Sequence, residues 1–167
     1  NNNNSLFNLK IISWNIAGLS AKLLDATWLT FIANYDLILL QETWAPLQIP
    51  RNGCTTFFIP ALSSKAGRHS RGLLIWVRNS LAAKINRLSI DSNDLLGLSI
   101  TFSTGARLVL FNISICSVPI TSESPIIDLL NVKLCQLLDG RSPNMTIIVG
   151  GDFNSTFEPL NGLSSLM

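Results

Sequence analysis

Charge is scarce in this chain: Asp, Glu, Lys and Arg supply 13% of its 167 residues, about half the roughly 25% of an ordinary soluble domain. Its net charge of +2 says little about partners, since a dedicated nucleic-acid binder often shows a stronger or more clustered basic surface. Its one locally basic stretch runs from Lys65 through Arg68 to Arg71. Cysteine is scarce too. Cys54, Cys116 and Cys135 are odd in number and share no short metal-type spacing, which argues against a disulfide framework and for a reducing compartment. Cys116 and Cys135 fall in apolar periodic segments and read as core. No apolar run approaches the ~20 residues needed to cross a bilayer. Residues 1–8 lack the basic start and apolar core of a signal peptide. Histidine occurs once, as His69 in the basic loop, where it reads as a surface residue. What the chain has in plenty is apolar: 47% of it is hydrophobic, ample for the core of one domain. No repeat or linker divides it, so residues 1–8 read as a disordered polar leader and 9–167 as one domain.

The periodicity alternates strands with two helices. A strand is expected over residues 9–16. Gly18 breaks it, and Ser20 is placed to cap a helix over 20–33 with Leu24, Trp28, Phe31 and Ile32 on one face. Residues 36–41 form the next strand, parallel to the first if this is a βαβ unit. Strands near 55–59, 72–77, 84–90, 95–102 and 107–115 follow, with a hairpin turn at Ser103-Thr104-Gly105 and little helix between them. Ser124-Pro125 starts a second helix whose apolar face is Ile126, Leu130, Leu134 and Leu137. A last strand covers 146–149. This order predicts an α/β fold with helices packed outside stacked sheets. The four tryptophans read mainly as core.

Three of these strands end in oxygen-donor side chains. The first runs into Asn15, the second into Gln41-Glu42, and the last through Gly150-Gly151 into Asp152-Phe153-Asn154. In α/β folds such strand ends carry the chemistry, and Asn, Glu and Asp are hard donors suited to holding a divalent cation against phosphate. Singly, each end is more often a turn, since Asx side chains readily bond the backbone two residues on. Asn112, inside an apolar strand, needs a partner; a satisfied cross-strand hydrogen bond and a site role are equally open to it.

Trp14-Asn15, Gln41-Glu42-Thr43 and Gly151-Asp152-Phe153-Asn154 together resemble the successive motifs of the endonuclease/exonuclease/phosphatase superfamily. The stretches 13–19, 36–44 and 71–77 are similar, within it, to the endonuclease domain of non-LTR (LINE-type) retrotransposons. The resemblance implies a four-layer α/β sandwich of two mixed sheets flanked by helices. It implies a metal-dependent DNA endonuclease hydrolysing a phosphodiester bond. By the same resemblance Glu42, with Asn15 nearby, holds Mg²⁺ or Mn²⁺, Asp152 orients or deprotonates the attacking water, and Asn154 hydrogen-bonds the phosphate. Asn15 is also counted with the catalytic residues. Asn112, Ser114, Arg68, Arg71 and Trp44 are candidate substrate contacts, with an ordinary solvated loop the plainer account of Lys65, Arg68 and Arg71. DNA is the implied partner, a reverse transcriptase domain in a longer polyprotein a further one, and the nucleus the implied location; no membrane is involved.

The pattern also departs from the family. By register, Ser114 stands where the family carries a phosphate-binding Tyr. The family's later Asp and its closing Ser-Asp-His are expected beyond Asn154, yet no His follows His69. The expectation is therefore a sandwich incomplete at its C-terminus, with activity weak or lost. The alternatives are an inactive fold fragment or remnant reading frame, and a related phosphodiesterase or phosphatase.

Overall fold

A computed structural model describes residues 8–63, 69–115, 125–140 and 144–154. Among these residues ten strands and three α-helices follow one another. The first sheet holds β1 (Ile11–Asn15), β2 (Leu37–Gln41), β3 (Cys54–Ile59) and β6 (Leu73–Arg78), in the order β1-β2-β6-β3. Between β3 and β6 a two-stranded hairpin, β4 (Leu62–Ser63) and β5 (His69–Ser70), stands apart. The second sheet holds β7 (Lys84–Arg87), β8 (Leu95–Thr101), β9 (Arg107–Ser114) and β10 (Met145–Asp152), in the order β10-β9-β8-β7. Each sheet is mixed: β1 runs parallel to β2 and β10 parallel to β9, while the other pairings are antiparallel.

The two-residue period of a strand decides what each side chain meets. Leu37 and Leu39 of β2, Leu73, Ile75 and Val77 of β6, Leu96, Leu98 and Ile100 of β8, and Leu108 and Leu110 of β9 share the core between the sheets. The alternate residues face outward. Ile38, Leu40, Leu74 and Trp76 pack under α1 (Leu19–Lys22) and α2 (Ala26–Ile32) through Leu19, Trp28 and Ile32. Val109, Phe111 and Ile113 pack with Leu130 of α3 (Pro125–Asp139). The result is helix, sheet, sheet, helix: the four-layer sandwich expected from the sequence.

Several local expectations change. The helix expected over 20–33 is two, because Asp25 caps α2 by accepting hydrogen bonds from the Thr27 and Trp28 backbone N–H groups (2.9 and 3.0 Å). The break turns Leu24 out of the apolar face, and it is 89% exposed. Trp14 is not core. As an outward residue of the edge strand β1 it meets Trp28, Phe31 and the Lys22 ammonium and stays partly exposed. Cys135 is exposed on α3, not core, and Cys116 lies outside the described residues. β10 is longer than 146–149: it runs on through Gly150 and Gly151, so Asp152 is a strand residue paired with Ser114 rather than part of a following turn. Both glycines have steric reasons. A Cβ at Gly150 would sit 3.1 Å from Leu39 Cδ2, since the sheets approach closely there. At Gly151, with φ 153°, a Cβ would overlap the Ile113 carbonyl oxygen.

Candidate active site

The intersheet gap changes character toward the C-terminal ends of β1, β2, β9 and β10. The inward positions of β2 read Leu37, Leu39, Gln41, and those of β9 read Leu108, Leu110, Asn112, Ser114. The apolar layers thus give way to a polar one. Asn112 is 0% exposed, and its amide is spent between the sheets. Nδ2 donates to the carbonyl oxygens of Leu40 and Leu74, both at 3.1 Å, and Oδ1 accepts from Gln41 Nε2 at 2.6 Å. Gln41 Nε2 also donates to Ser13 Oγ at 3.1 Å. The Asn112 bonds therefore cross from sheet to sheet rather than from strand to strand. A buried amide left without partners is costly; here every polar end of Asn112 is met. Ser114, one step further, is 2% exposed, so neither side chain presents itself to solvent.

One layer beyond, the gap opens. Asn15 Nδ2 donates to Asp152 Oδ2 at 2.6 Å, joining the last residue of β1 to the last of β10. Asn15 Oδ1 accepts from the Ala17 backbone N–H. Asp152 Oδ1 accepts from the Asn154 N–H at 3.0 Å, and Asn154 Nδ2 donates to the Ile115 carbonyl at 2.6 Å. Beside Asn15, β2 ends at Gln41, and Glu42 follows. Its Oε2 accepts two hydrogen bonds, from Trp44 Nε1 at 2.9 Å and from the Arg71 N–H at 3.0 Å. The Gly18 N–H closes the Glu42 backbone into the turn after β1. Sequence periodicity alone places Asn15, Glu42, Asp152 and Asn154 at strand ends; the parallel pairs β1–β2 and β9–β10 bring those ends together.

The backbone here is held in unusual conformations. Six non-glycine residues among those described have positive φ, and five are Ala17, Glu42, Trp44, Arg71 and Asn154. Each such residue costs on the order of 1–3 kcal/mol and persists only where its surroundings dictate it. At Glu42 the dictating contacts are visible: Trp44 and Arg71, themselves strained, each bond its carboxylate.

Arg71 guards the other flank. Its Nη1 lies 2.9 Å from Asp94 Oδ2 and 3.1 Å from Oδ1. The Ser114 N–H donates to the Asp94 carbonyl, so this pair links the β5–β6 turn to the second sheet. Sequence reading missed Asp94, which precedes β8 in a polar stretch, Asp91-Ser92-Asn93-Asp94, where nothing distinguishes it from a solvated turn. The bonds of Gln41 to Ser13 and Asn112 likewise have no local sequence signal beyond its place in Gln41-Glu42-Thr43. Arg68 and Lys65 lie outside the described residues. His69 is half-buried in the hairpin, its Nδ1 3.1 Å from Ser63 Oγ.

The donor set suits a hard divalent cation. All candidate ligands are oxygens, and Glu42 Oε1 takes no hydrogen bond among the described residues. No group of three His, Cys, Asp or Glu able to hold a metal occurs among them. Mg²⁺ commonly keeps several waters and takes one or two carboxylates plus substrate phosphate.

Comparisons with known structures agree on the fold. The chain is similar to an AP endonuclease from Archaeoglobus fulgidus, with TM-score 0.56 and 18% identity over 90% of this chain and 59% of that one. It is similar to ANGEL2, a 2′,3′-cyclic phosphatase, with TM-score 0.54 and 15% identity over 90% of this chain and 54% of that one. An endonuclease/exonuclease/phosphatase family protein from Leptotrichia buccalis matches with TM-score 0.51 and 13% identity, over 88% of this chain and 68% of that one. The chain thus spans somewhat over half the length of the first two. No curated protein matches. The sequence profile of the Endonuclease/Exonuclease/phosphatase family matches residues 12–163, and with the strand ends converging as described, the chain belongs to that family.

Proposed function

We propose that the chain is the metal-binding part of a DNA endonuclease domain of the non-LTR retrotransposon type, hydrolysing a phosphodiester bond. The observation that carries this is the Asn15–Asp152 contact across the two sheets, with Glu42 next along the chain from Gln41, the strand partner of Asn15. Glu42 and the Asn15 amide oxygen would hold Mg²⁺ or Mn²⁺, and the bound cation would neutralise phosphoryl charge and polarise the scissile bond. Asp152, whose carboxylate accepts hydrogen bonds from Asn15 and the Asn154 N–H, would accept a proton from an attacking water. The Asn154 amide would exchange the Ile115 carbonyl for a non-bridging phosphate oxygen. Trp44 and Arg71 fix the Glu42 rotamer. DNA as substrate, a reverse transcriptase in the same polyprotein and a nuclear site of action belong to this reading. The likeness of residues 13–19, 36–44 and 71–77 to the retrotransposon branch supports it over a phosphatase.

A specific observation favours a second reading, an inactive fold fragment, for the 167 residues taken alone. Their single histidine is engaged with Ser63, so no histidine stands beside Asp152 to protonate the leaving oxygen. Plasmid nicking with Mg²⁺ or Mn²⁺ separates the two. The endonuclease reading expects weak nicking that disappears in Glu42→Ala and in Asp152→Ala. No cleavage at any metal concentration favours the fragment, and cleavage surviving both substitutions refutes the site.

A further inference from the structure

The far end of the first sheet carries a feature that the converging strand ends do not use. Arg51, just ahead of β3, lays its guanidinium over Trp76, with Cζ 5.3 Å from the ring centroid. Its Nη1 is sealed from solvent and has no hydrogen-bond partner among the described residues. A buried polar group without a partner is rare and calls for one, commonly an ion or a water. Beside it opens a cleft of about 430 Å³ whose lining includes Arg51, Asn52, Cys54, Arg78, Asn79 and Ser80.

Arg78 brings a second guanidinium. Its Nη2 donates to the carbonyls of Ala33 and Tyr35, and its Nε lies 3.8 Å from Asp36. Asp36 in turn accepts the Lys10 N–H at 3.0 Å, so its carboxylate is shared. Two guanidiniums therefore line one cleft, with one carboxylate, Asp36, paired to Arg78 on its far side. Burial first, and then Arg78, lower the Arg51 pKa from its ordinary value, while neighbouring Cys54 acts the other way. Asn79 Oδ1 accepts from Thr55 Oγ1 at 2.9 Å, which leaves the N–H end of that amide available.

We infer that this cleft is a phosphate site. Two guanidiniums with amide and hydroxyl donors match a phosphoryl group, whose several oxygens can take a forked donor from each arginine where a carboxylate offers only two. Asp36 and Glu42 are separated by the length of β2, about 20 Å, so no single phosphate bridges this cleft and the candidate active site. The inference stands apart from the proposed nuclease chemistry.

The test follows the Arg51 and Arg78 side-chain Nε–H resonances by ¹⁵N NMR while inorganic phosphate, a nucleoside 5′-monophosphate or acetate is titrated into the whole chain at constant ionic strength. Both phosphates are expected to shift the two arginines and the Asn79 amide saturably, and acetate at least tenfold more weakly. Arg51→Gln should weaken phosphate binding at least tenfold. Arg51→Lys, which keeps a cation over Trp76 and so protects the fold, should weaken it less. Tighter binding of the nucleotide would place the site on a nucleotide's phosphoryl end, and equal binding on free phosphate; both support the inference. Shifts that do not saturate, that acetate reproduces, or that persist unchanged in Arg51→Lys and Arg51→Gln overturn it.

Discussion

Replacing Asn112 with Ala should destabilise the domain more than any other single polar substitution at this end of the sheets. The substitution removes three hydrogen bonds from a residue that is 0% exposed. Each is worth about 1 kcal/mol net, and leaving partners unsatisfied in the interior costs more. Water has no ready route to the carbonyls of Leu40 and Leu74, which belong to fully buried residues. The sum is about 3–4 kcal/mol. For a chain of this size each kcal/mol lowers Tm by about 2–4 °C, giving a fall of about 10 °C. Asn112→Asp should cost at least as much: it keeps an acceptor for Gln41 but turns a charged oxygen toward two carbonyls. Ser13→Ala, losing only the 3.1 Å contact with Gln41, should cost about 1 kcal/mol. Urea denaturation and thermal melting of the four proteins provide the comparison. If Asn112→Ala costs under about 1 kcal/mol, the amide layer is not what holds the two sheets together at this end, and the account of the gap is wrong.

Other outcomes follow from single contacts. Asp25→Ala removes the cap that splits the first helical segment in two and should cost about 1 kcal/mol in denaturation. Gly151→Ala places a Cβ against the Ile113 carbonyl, so the end of β10 must shift. Hydrogen exchange at Ile115 N–H, which bonds the Asp152 carbonyl, should accelerate strongly. Trp44→Phe keeps the ring but deletes the N–H that holds Glu42 Oε2, so Mn²⁺ affinity should fall several-fold with little change in Tm; an unchanged affinity would remove Trp44 from the site.

What the sequence reveals here divides along physical lines. Strand alternation is local, so the inward Leu37 and Leu39 and the outward Ile38 and Leu40 are legible from spacing alone. So is the apolar face of α3 at Ile126, Leu130, Leu134 and Leu137. Asp25 was legible in principle, as a good N-cap residue five positions after Ser20, but the apolar spacing of Leu24 and Trp28 outweighed it. The glycines of β10 read as a strand end because glycine usually breaks strands; only the approach of the other sheet shows why they stay inside one. Asp94 and the partners of Asn112 depend on contacts between residues 23 and 71 positions apart, which no local pattern encodes. Trp14 and Cys135 look apolar by type, yet an edge strand and the outer face of α3 leave them uncovered. Asn15, Glu42 and Asp152 were legible because a strand's direction and its last residue are both written locally; that Asn15 touches Asp152 was not.

The central claim is that the ends of β1, β2 and β10 form one cation site, and Mn²⁺ titration watched by NMR tests it most directly. Substoichiometric Mn²⁺ should broaden the amide resonances of Asn15, Glu42, Trp44, Arg71, Asp152 and Asn154 before all others, and Mg²⁺ should compete it away. Glu42→Gln should abolish the selective broadening while leaving the rest of the spectrum in place. Broadening centred elsewhere, or undiminished in Glu42→Gln, would contradict the claim.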